Sequence, residues 1–179
     1  MAAPSITVVD TSDRTVTTWD NGTVQAQNYS AVLSIRVWNN RGGSVTLSDL
    51  KDVTITALDT DGGATSDVVT GKWTQVNCPR IDGNTTTYVA VGGSTVRYLK
   101  ADGVSDSDGY TIKGTANDGL ASTAASKVNY STANMRVYVP VNANPGTRNF
   151  KVRINGYYTW YDKEMKLYGC SFNYYIRCF

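Results

Sequence analysis

The segment from Met135 to Tyr157 carries the strongest structural signal in this sequence. Apolar and polar residues alternate on both sides of Asn144-Pro145-Gly146, and the apolar ones are largely β-branched or aromatic. Alternation with a period of two is typical of a strand that buries one face. Proline presets φ and glycine accepts a positive φ, so this turn predicts a chain reversal. The segment therefore predicts a β-hairpin, which needs further strands to cover its apolar face.

Similar alternating segments recur about every ten residues, with turn residues between them, as in β-sandwiches and barrels. No segment sustains helical periodicity, and the only glutamate in the chain is Glu164. We predict an all-β fold of antiparallel sheets. The other predicted strands are Ser5–Val9, Arg14–Trp19, Thr23–Gln27, Ser30–Trp38, Asp52–Leu58, Val68–Val76, Tyr110–Gly114, and a second hairpin of Thr87–Val91 and Thr95–Leu99 around Gly92-Gly93.

Composition narrows the function classes. A hydrophobic share of 41% and a charged share of 18% are globular, and 179 residues suit one main core. The net charge of +2 argues against a dedicated nucleic-acid binder, which needs a clustered basic face. We predict no membrane span, because the longest apolar runs are only a few residues long. The opening MAAPSITVVD lacks the features of a secretory signal, so we expect folding in the cytoplasm.

The sequence offers little for catalysis. It has no histidine, which removes the commonest general base and the usual catalytic triads. With a single glutamate, a carboxylate pair would have to come mostly from aspartates, and most of these lie in Gly- or Ser-containing turns. Cys78 precedes Pro79 and has no histidine to activate it. We predict that the protein is not an enzyme and needs no cofactor.

One loop is a candidate metal site. Asp102, Asp106 and Asp108 lie close together in sequence, and three carboxylates on a loop can hold a hard cation such as calcium. The spacing does not match an EF-hand, and Thr115 stands where the closing glutamate would be. An ordinary Asp/Gly/Ser turn is the alternative, and we favour it.

The three cysteines, Cys78, Cys170 and Cys178, do not form a disulfide framework, because their number is odd. Reduced thiols are expected in a protein that folds in the cytoplasm. A bond between Cys170 and Cys178 remains an alternative if the C-terminal strands pair with each other.

The C-terminal segment, 157–179, is dense in aromatic residues. It predicts two further strands on either side of Asp162–Lys163. Aromatic residues at this density are rarely left exposed, so they either complete the core or dock a neighbouring subunit. For the second alternative, the predicted interface residues are Trp160, Tyr161, Tyr168, Phe172 and Tyr175.

Two stretches resemble bacterial and phage Ig-like domains. They are Trp19–Ala26, followed by the strand to Asn40, and Val139–Thr147, followed by Phe150. The resemblance implies an Ig-like antiparallel β-sandwich of about seven to nine strands. We assign residues 1–157 to this sandwich and 158–179 to an aromatic C-terminal extension that is part of the same domain or an assembly arm.

The chain also resembles small accessory structural proteins of tailed phages and phage-tail-like particles. This resemblance implies a tail, baseplate or surface-decoration component that lies in the virion and binds other virion proteins and copies of itself. A carbohydrate- or cell-surface-binding module is the alternative, with a host surface glycan as ligand. Trp38 is the candidate glycan contact, because alternation puts it on the face opposite Ile35 and Val37. Trp19, Trp73 and Trp160 are further candidates.

Overall fold

The computed structural model describes residues 2–161 and 167–178, with side chains for all of these except 160–174. The described strands are β1 (Ile6–Asp10), β2 (Thr18–Trp19), β3 (Leu33–Asn39), β4 (Lys51–Asp59), β5 (Thr74–Asn77), β6 (Val89–Val91), β7 (Arg97–Tyr98), β8 (Tyr130–Val137), β9 (Phe150–Tyr161) and β10 (Leu167–Cys178). Short helical segments in the connections are α1 (Asp67–Thr70), α2 (Pro79–Asp82) and the 3₁₀ segments Asp106–Asp108 and Ala124–Asn129. Among the described residues, no helix has the length and apolar character needed to cross a membrane.

The strands form two five-stranded sheets that pack face to face. Sheet A has the order β1-β3-β8-β5-β6, and sheet B has the order β2-β10-β9-β4-β7. Described neighbours are antiparallel except β2 and β10, which are parallel over two residue pairs. The prediction of an all-β sandwich is confirmed.

The core lies between the sheets and follows the alternation of the strands. Ile35 from sheet A and Ile55, Val152, Ile154 and Ile176 from sheet B are all 0% exposed. Burying a branched side chain of this size stabilises the fold by about 1.5–3 kcal/mol. The inward positions of β4 and β9 are the ones that alternation predicts.

The predicted hairpin in the segment 135–157 is wrong. β8 pairs with β3 and β5 in sheet A, whereas β9 pairs with β4 and β10 in sheet B. The two strands face each other across the core, with Met135 on one side and Val152 on the other. Alternation identifies the buried face of a strand but does not say whether the next strand lies beside it or opposite it. The connection 138–149 is long enough to cross from one sheet to the other.

Of the second predicted hairpin only the tight turn is present: Gly92 and Thr95 exchange two backbone hydrogen bonds. The strands do not pair beyond this turn, since β6 belongs to sheet A and β7 to sheet B. The two glycines between them fit this tight crossing. A Cβ at Gly92 would lie 2.2 Å from the carbonyl oxygen of Val69, and Gly93 has φ +58°. The pair therefore allows close backbone approach where the chain changes sheets.

Several other predicted strands are shorter than expected or absent. The strand at Arg14–Trp19 is reduced to β2, and residues 110–114 form no described strand. Residues 110–114 still bond to the backbone of a neighbouring segment: Leu50 and Ile112 exchange two hydrogen bonds in an antiparallel bridge, and the Val53 N–H donates to the Tyr110 carbonyl. The buried Asn40 amide donates to the carbonyls of Gly114 and Thr115, and the buried Asn129 amide also donates to Thr115. One antiparallel bridge and the asparagine side chains therefore hold this segment, and the pairing does not extend into a strand.

The C-terminal segment belongs to the sandwich. β9 runs without a break across the expected boundary at residues 157 and 158, and β10 pairs with it from Leu167 to Cys178. Ile176 and Cys178 lie in the main core, at 0% and 1% exposure. The two predicted C-terminal strands are therefore present, while the turn predicted at Asp162–Lys163 lies outside the described residues.

Candidate functional site

The candidate metal loop does not assemble a metal site. The Asp106 carboxylate accepts hydrogen bonds from Lys100 Nζ at 2.8 Å and Arg80 at 3.0 Å, and the Lys100 hydrogen bond is the main cause that lowers the pKa of Asp106. Asp108 accepts from Ser105 Oγ at 2.9 Å, and this hydrogen bond lowers the pKa of Asp108. Both carboxylates are thus held by neighbouring cationic or hydroxyl groups.

Asp102 points elsewhere. Its carboxylate accepts a hydrogen bond from Thr132 Oγ1 at 3.1 Å on sheet A, and burial raises its pKa. The structure therefore separates Asp102 from Asp106 and Asp108. Within residues 2–161 and 167–178, no group of three or more Cys, Asp or Glu side chains is placed to hold a metal ion. Asp106–Asp108 form a short 3₁₀ segment of this loop.

The candidate glycan contact, Trp38, is closed to solvent. It lies on the outer face of sheet A, as alternation predicts, but is 0% exposed. Its ring centroid is 4.6 Å from that of Tyr130, and Val9 completes a small second core under Ala121. Stacking on a sugar needs an open ring face, so Trp38 is a packing residue in this structure. Trp19 is also buried, at 6% exposure.

The described cysteines offer no nucleophile. Cys78 and Cys178 are free and buried, and burial raises the pKa of both thiols, that of Cys178 to about 12. Cys170 and Cys178 lie in the same strand, with Cα atoms about 26 Å apart at the usual rise per residue. A disulfide needs Cα atoms within about 7 Å, so the alternative of a Cys170–Cys178 bond is wrong.

We expect that no more than one of the three thiols reacts quickly with a thiol reagent in the folded protein. Burial keeps Cys78 and Cys178 protonated and out of contact with the reagent. Absorbance titration with an aromatic disulfide reagent measures the number of thiols that react quickly. The same titration of the denatured protein should count all three. Rapid reaction of two or more thiols in the native state would contradict the buried positions.

One cleft of about 540 Å³ opens at an end of the sandwich. Its apolar base includes Trp73 and Phe150, and its rim comes from the loops 21–26 and 143–148. The volume is within the range of small-molecule sites. At the rim, Arg148 donates two hydrogen bonds to the carboxylate of Asp67. The distances are 2.9 Å from Nε to Oδ1 and 2.9 Å from Nη2 to Oδ2. No nucleophile and base are paired among the lining residues.

The outer edge of β10 is largely unpaired among the described strands. Along that edge, β2 pairs only with Arg177 and Cys178. From Leu167 to Ile176, β10 pairs with β9 on one side and with no described strand on the other. This leaves a row of main-chain groups available to another strand.

The predicted interface residues all lie on the strand pair that carries this edge. Tyr175 is 45% exposed. The side chains of Trp160, Tyr161, Tyr168 and Phe172 lie outside the described part of the chain, although the backbone places these residues in β9 and β10. The sequence thus identified the strands, but only the topology shows that one of their edges is open.

Comparisons with known proteins do not assign this chain to a family. No protein-family model matches the chain, and no curated protein matches it. Among solved structures, it is similar to a family 123 glycoside hydrolase from Clostridium perfringens, studied for the hydrolysis of glycolipid glycans. The identity is 13% and the TM-score 0.39, and the match covers 98% of this chain and 27% of that chain. A likeness at this level carries no argument about function.

Proposed function

We propose that this protein is a non-enzymatic structural protein of a virion, a tail, baseplate or surface-decoration component, which acts by binding neighbouring subunits, including copies of itself. The observation that carries the proposal is the open edge of β10 from Leu167 to Ile176. The virion setting rests on the sequence resemblance to accessory phage proteins.

The open edge is longer than a monomeric protein usually leaves. Ten residues at the strand rise span about 33 Å. Natural edge strands are kept short or carry lysine, proline or a bulge that prevents pairing. β10 has 12 residues and contains neither proline nor lysine, and its register with β9 is continuous. Such an edge favours addition of a strand from another chain, with main-chain hydrogen bonds supplying affinity.

A binding role also agrees with the chemistry of the described residues. The chain has no histidine. The described thiols are buried with raised pKa values, and the aspartates of the 102–108 loop are held by neighbouring hydroxyl and cationic groups. These features supply no activated nucleophile and no general base. Assembly needs neither.

A shortened variant tests the proposal. Tyr157 and Ser171 face each other in the register of β9 and β10, so residues 158–170 can be replaced by the two-residue turn Asn-Gly. This short-ribbon variant lacks three of the predicted interface residues, Trp160, Tyr161 and Tyr168, and the first part of the open edge. It keeps Ile176 and Cys178 in the core.

We expect the full-length chain to elute as an oligomer in size-exclusion chromatography with light scattering, and the short-ribbon variant to elute as a folded monomer. Three lost aromatic contacts of about 2 kcal/mol each are enough to abolish association at micromolar concentration. The control is Val141→Ser, which removes an exposed apolar group elsewhere on the surface and leaves the oligomer intact. An oligomeric short-ribbon variant, or a monomeric full-length chain that binds no virion protein, would show the proposal to be wrong.

A further inference from the structure

The outer face of sheet B carries a compact group of cations. Alternation along β9 and β10 buries Val152 and Ile176 and turns Lys151, Arg153 and Arg177 outward. In the register of the two strands, Arg177 lies directly opposite Lys151, and Tyr175 lies directly opposite Arg153. We call Lys151, Arg153 and Arg177 the cation patch.

The cation patch has no acidic partner among the described residues. The described aspartates that form ion pairs bind other lysines and arginines, and none lies within ion-pair distance of the patch. Two like charges directly opposite each other on neighbouring strands are destabilising. Arg153 Nε is in addition buried without a hydrogen-bond partner in the described chain. The cation patch therefore lowers the stability of the free protein, and a bound anion would offset this loss.

Aromatic rings accompany the cations on the same face. Lys151 Nζ lies 4.6 Å from the ring centroid of Tyr175, which is 45% exposed. Tyr157 is 53% exposed and stands four residues beyond Arg153 on the same strand, about 13 Å away. A ligand that contacts both the cations and Tyr157 must be a chain and not a single ion. Exposed tyrosines stack on sugar rings, and arginine and lysine bind carboxylates.

We propose that the cation patch, with Tyr175 and Tyr157, binds the carboxylate groups of an acidic polysaccharide. A sugar polymer fits better than a nucleic acid, because three cations on a chain of net charge +2 give few phosphate contacts. This inference goes beyond the proposed assembly role. It concerns the outer face of sheet B, whereas assembly concerns the edge of β10, and Tyr175 is the one predicted interface residue that the two surfaces share.

Binding to polygalacturonate, a carboxylated polysaccharide, tests the site in the full-length protein. We expect binding at low salt that weakens as salt rises, with no binding to neutral dextran. The double substitution Lys151→Gln and Arg177→Gln should weaken it at least about tenfold, because two charge-assisted contacts are lost. The matched control is Lys72→Gln with Lys127→Gln, which removes the same charge from exposed positions outside the patch. This control should bind like the unmodified protein.

The melting temperature without polysaccharide separates binding from structure. Removing two opposed charges should leave the stability unchanged or raise it, so a large loss would show that these residues are structural. Failure of the unmodified protein to bind polygalacturonate, or equal binding by the patch variant, overturns the proposal. Tighter binding to single-stranded poly(dT) than to polygalacturonate overturns the choice of a polysaccharide. The short-ribbon variant keeps the cation patch, so it should still bind polygalacturonate. Its binding therefore distinguishes a failure of this site from a failure of the assembly proposal.

Discussion

A chain that ends at Tyr157 should not fold. Removal of 158–179 takes away β10, which lies inside sheet B between β2 and β9. It also removes Ile176 and Cys178 from the core, where they are 0% and 1% exposed. Losing one buried isoleucine side chain alone costs about 2–5 kcal/mol, and the total stability of a domain is only about 5–15 kcal/mol. Thermal unfolding followed by near-ultraviolet circular dichroism should show no cooperative transition.

The short-ribbon variant is the control for this deletion. It shortens the same two strands but keeps the pairs from Tyr157–Ser171 to Phe150–Cys178. We expect a cooperative melt close to that of the full-length chain. A cooperative melt of the chain that ends at Tyr157 would contradict the position of β10 inside the sheet and would restore the alternative of a separate assembly arm.

The substitution Trp38→Ala should destabilise the fold by about 3–5 kcal/mol, as expected for removal of a fully buried tryptophan. The ring packs against Tyr130 and Val9 on the outer face of sheet A. Its loss leaves a cavity under the connection that carries Ala121. Urea denaturation at equilibrium, compared with the unmodified protein, measures the change in the free energy of unfolding.

Tyr157→Ala is the matched control, because Tyr157 is aromatic but 53% exposed. Its substitution should change the free energy of unfolding by less than about 1 kcal/mol. If Trp38→Ala were as stable as this control, the ring would have to be open, and Trp38 would return as a candidate sugar contact. The stability of Trp38→Ala therefore has to be measured before this variant is used in a glycan-binding experiment.

The fold class could be predicted because alternation reports directly on burial. In β4, the inward residues Val53, Ile55 and Ala57 are those that the sequence pattern indicates. Strand pairing could not be predicted in the same way. β8 and β9 both turn an apolar face to one core, and the pattern is identical whether they are neighbours in a sheet or lie opposite each other. The connection 138–149 reverses the chain in either arrangement, and its hydrogen-bonded turn runs from Pro140 to Ala143.

The candidate sites were harder to predict, because they depend on what covers a residue. Trp38 is on the predicted face, but the covering segment around Ala121 is far away in sequence. The outward positions of Lys151 and Arg153 can be read from alternation. The position of Arg177 opposite Lys151 cannot, since it depends on the register of β10. Contacts between distant segments are the information that a single sequence lacks.

Hydrogen–deuterium exchange at the amides of Leu167–Ile176 tests the central claim most directly. The protein is compared at a concentration at which it is associated and at one at which it is a monomer. Strand addition predicts slower exchange along this edge in the associated state, because main-chain groups gain partners from another chain. Unchanged exchange in Leu167–Ile176 while the mass shows association would mean that another surface forms the contact, and would contradict assembly through the edge of β10.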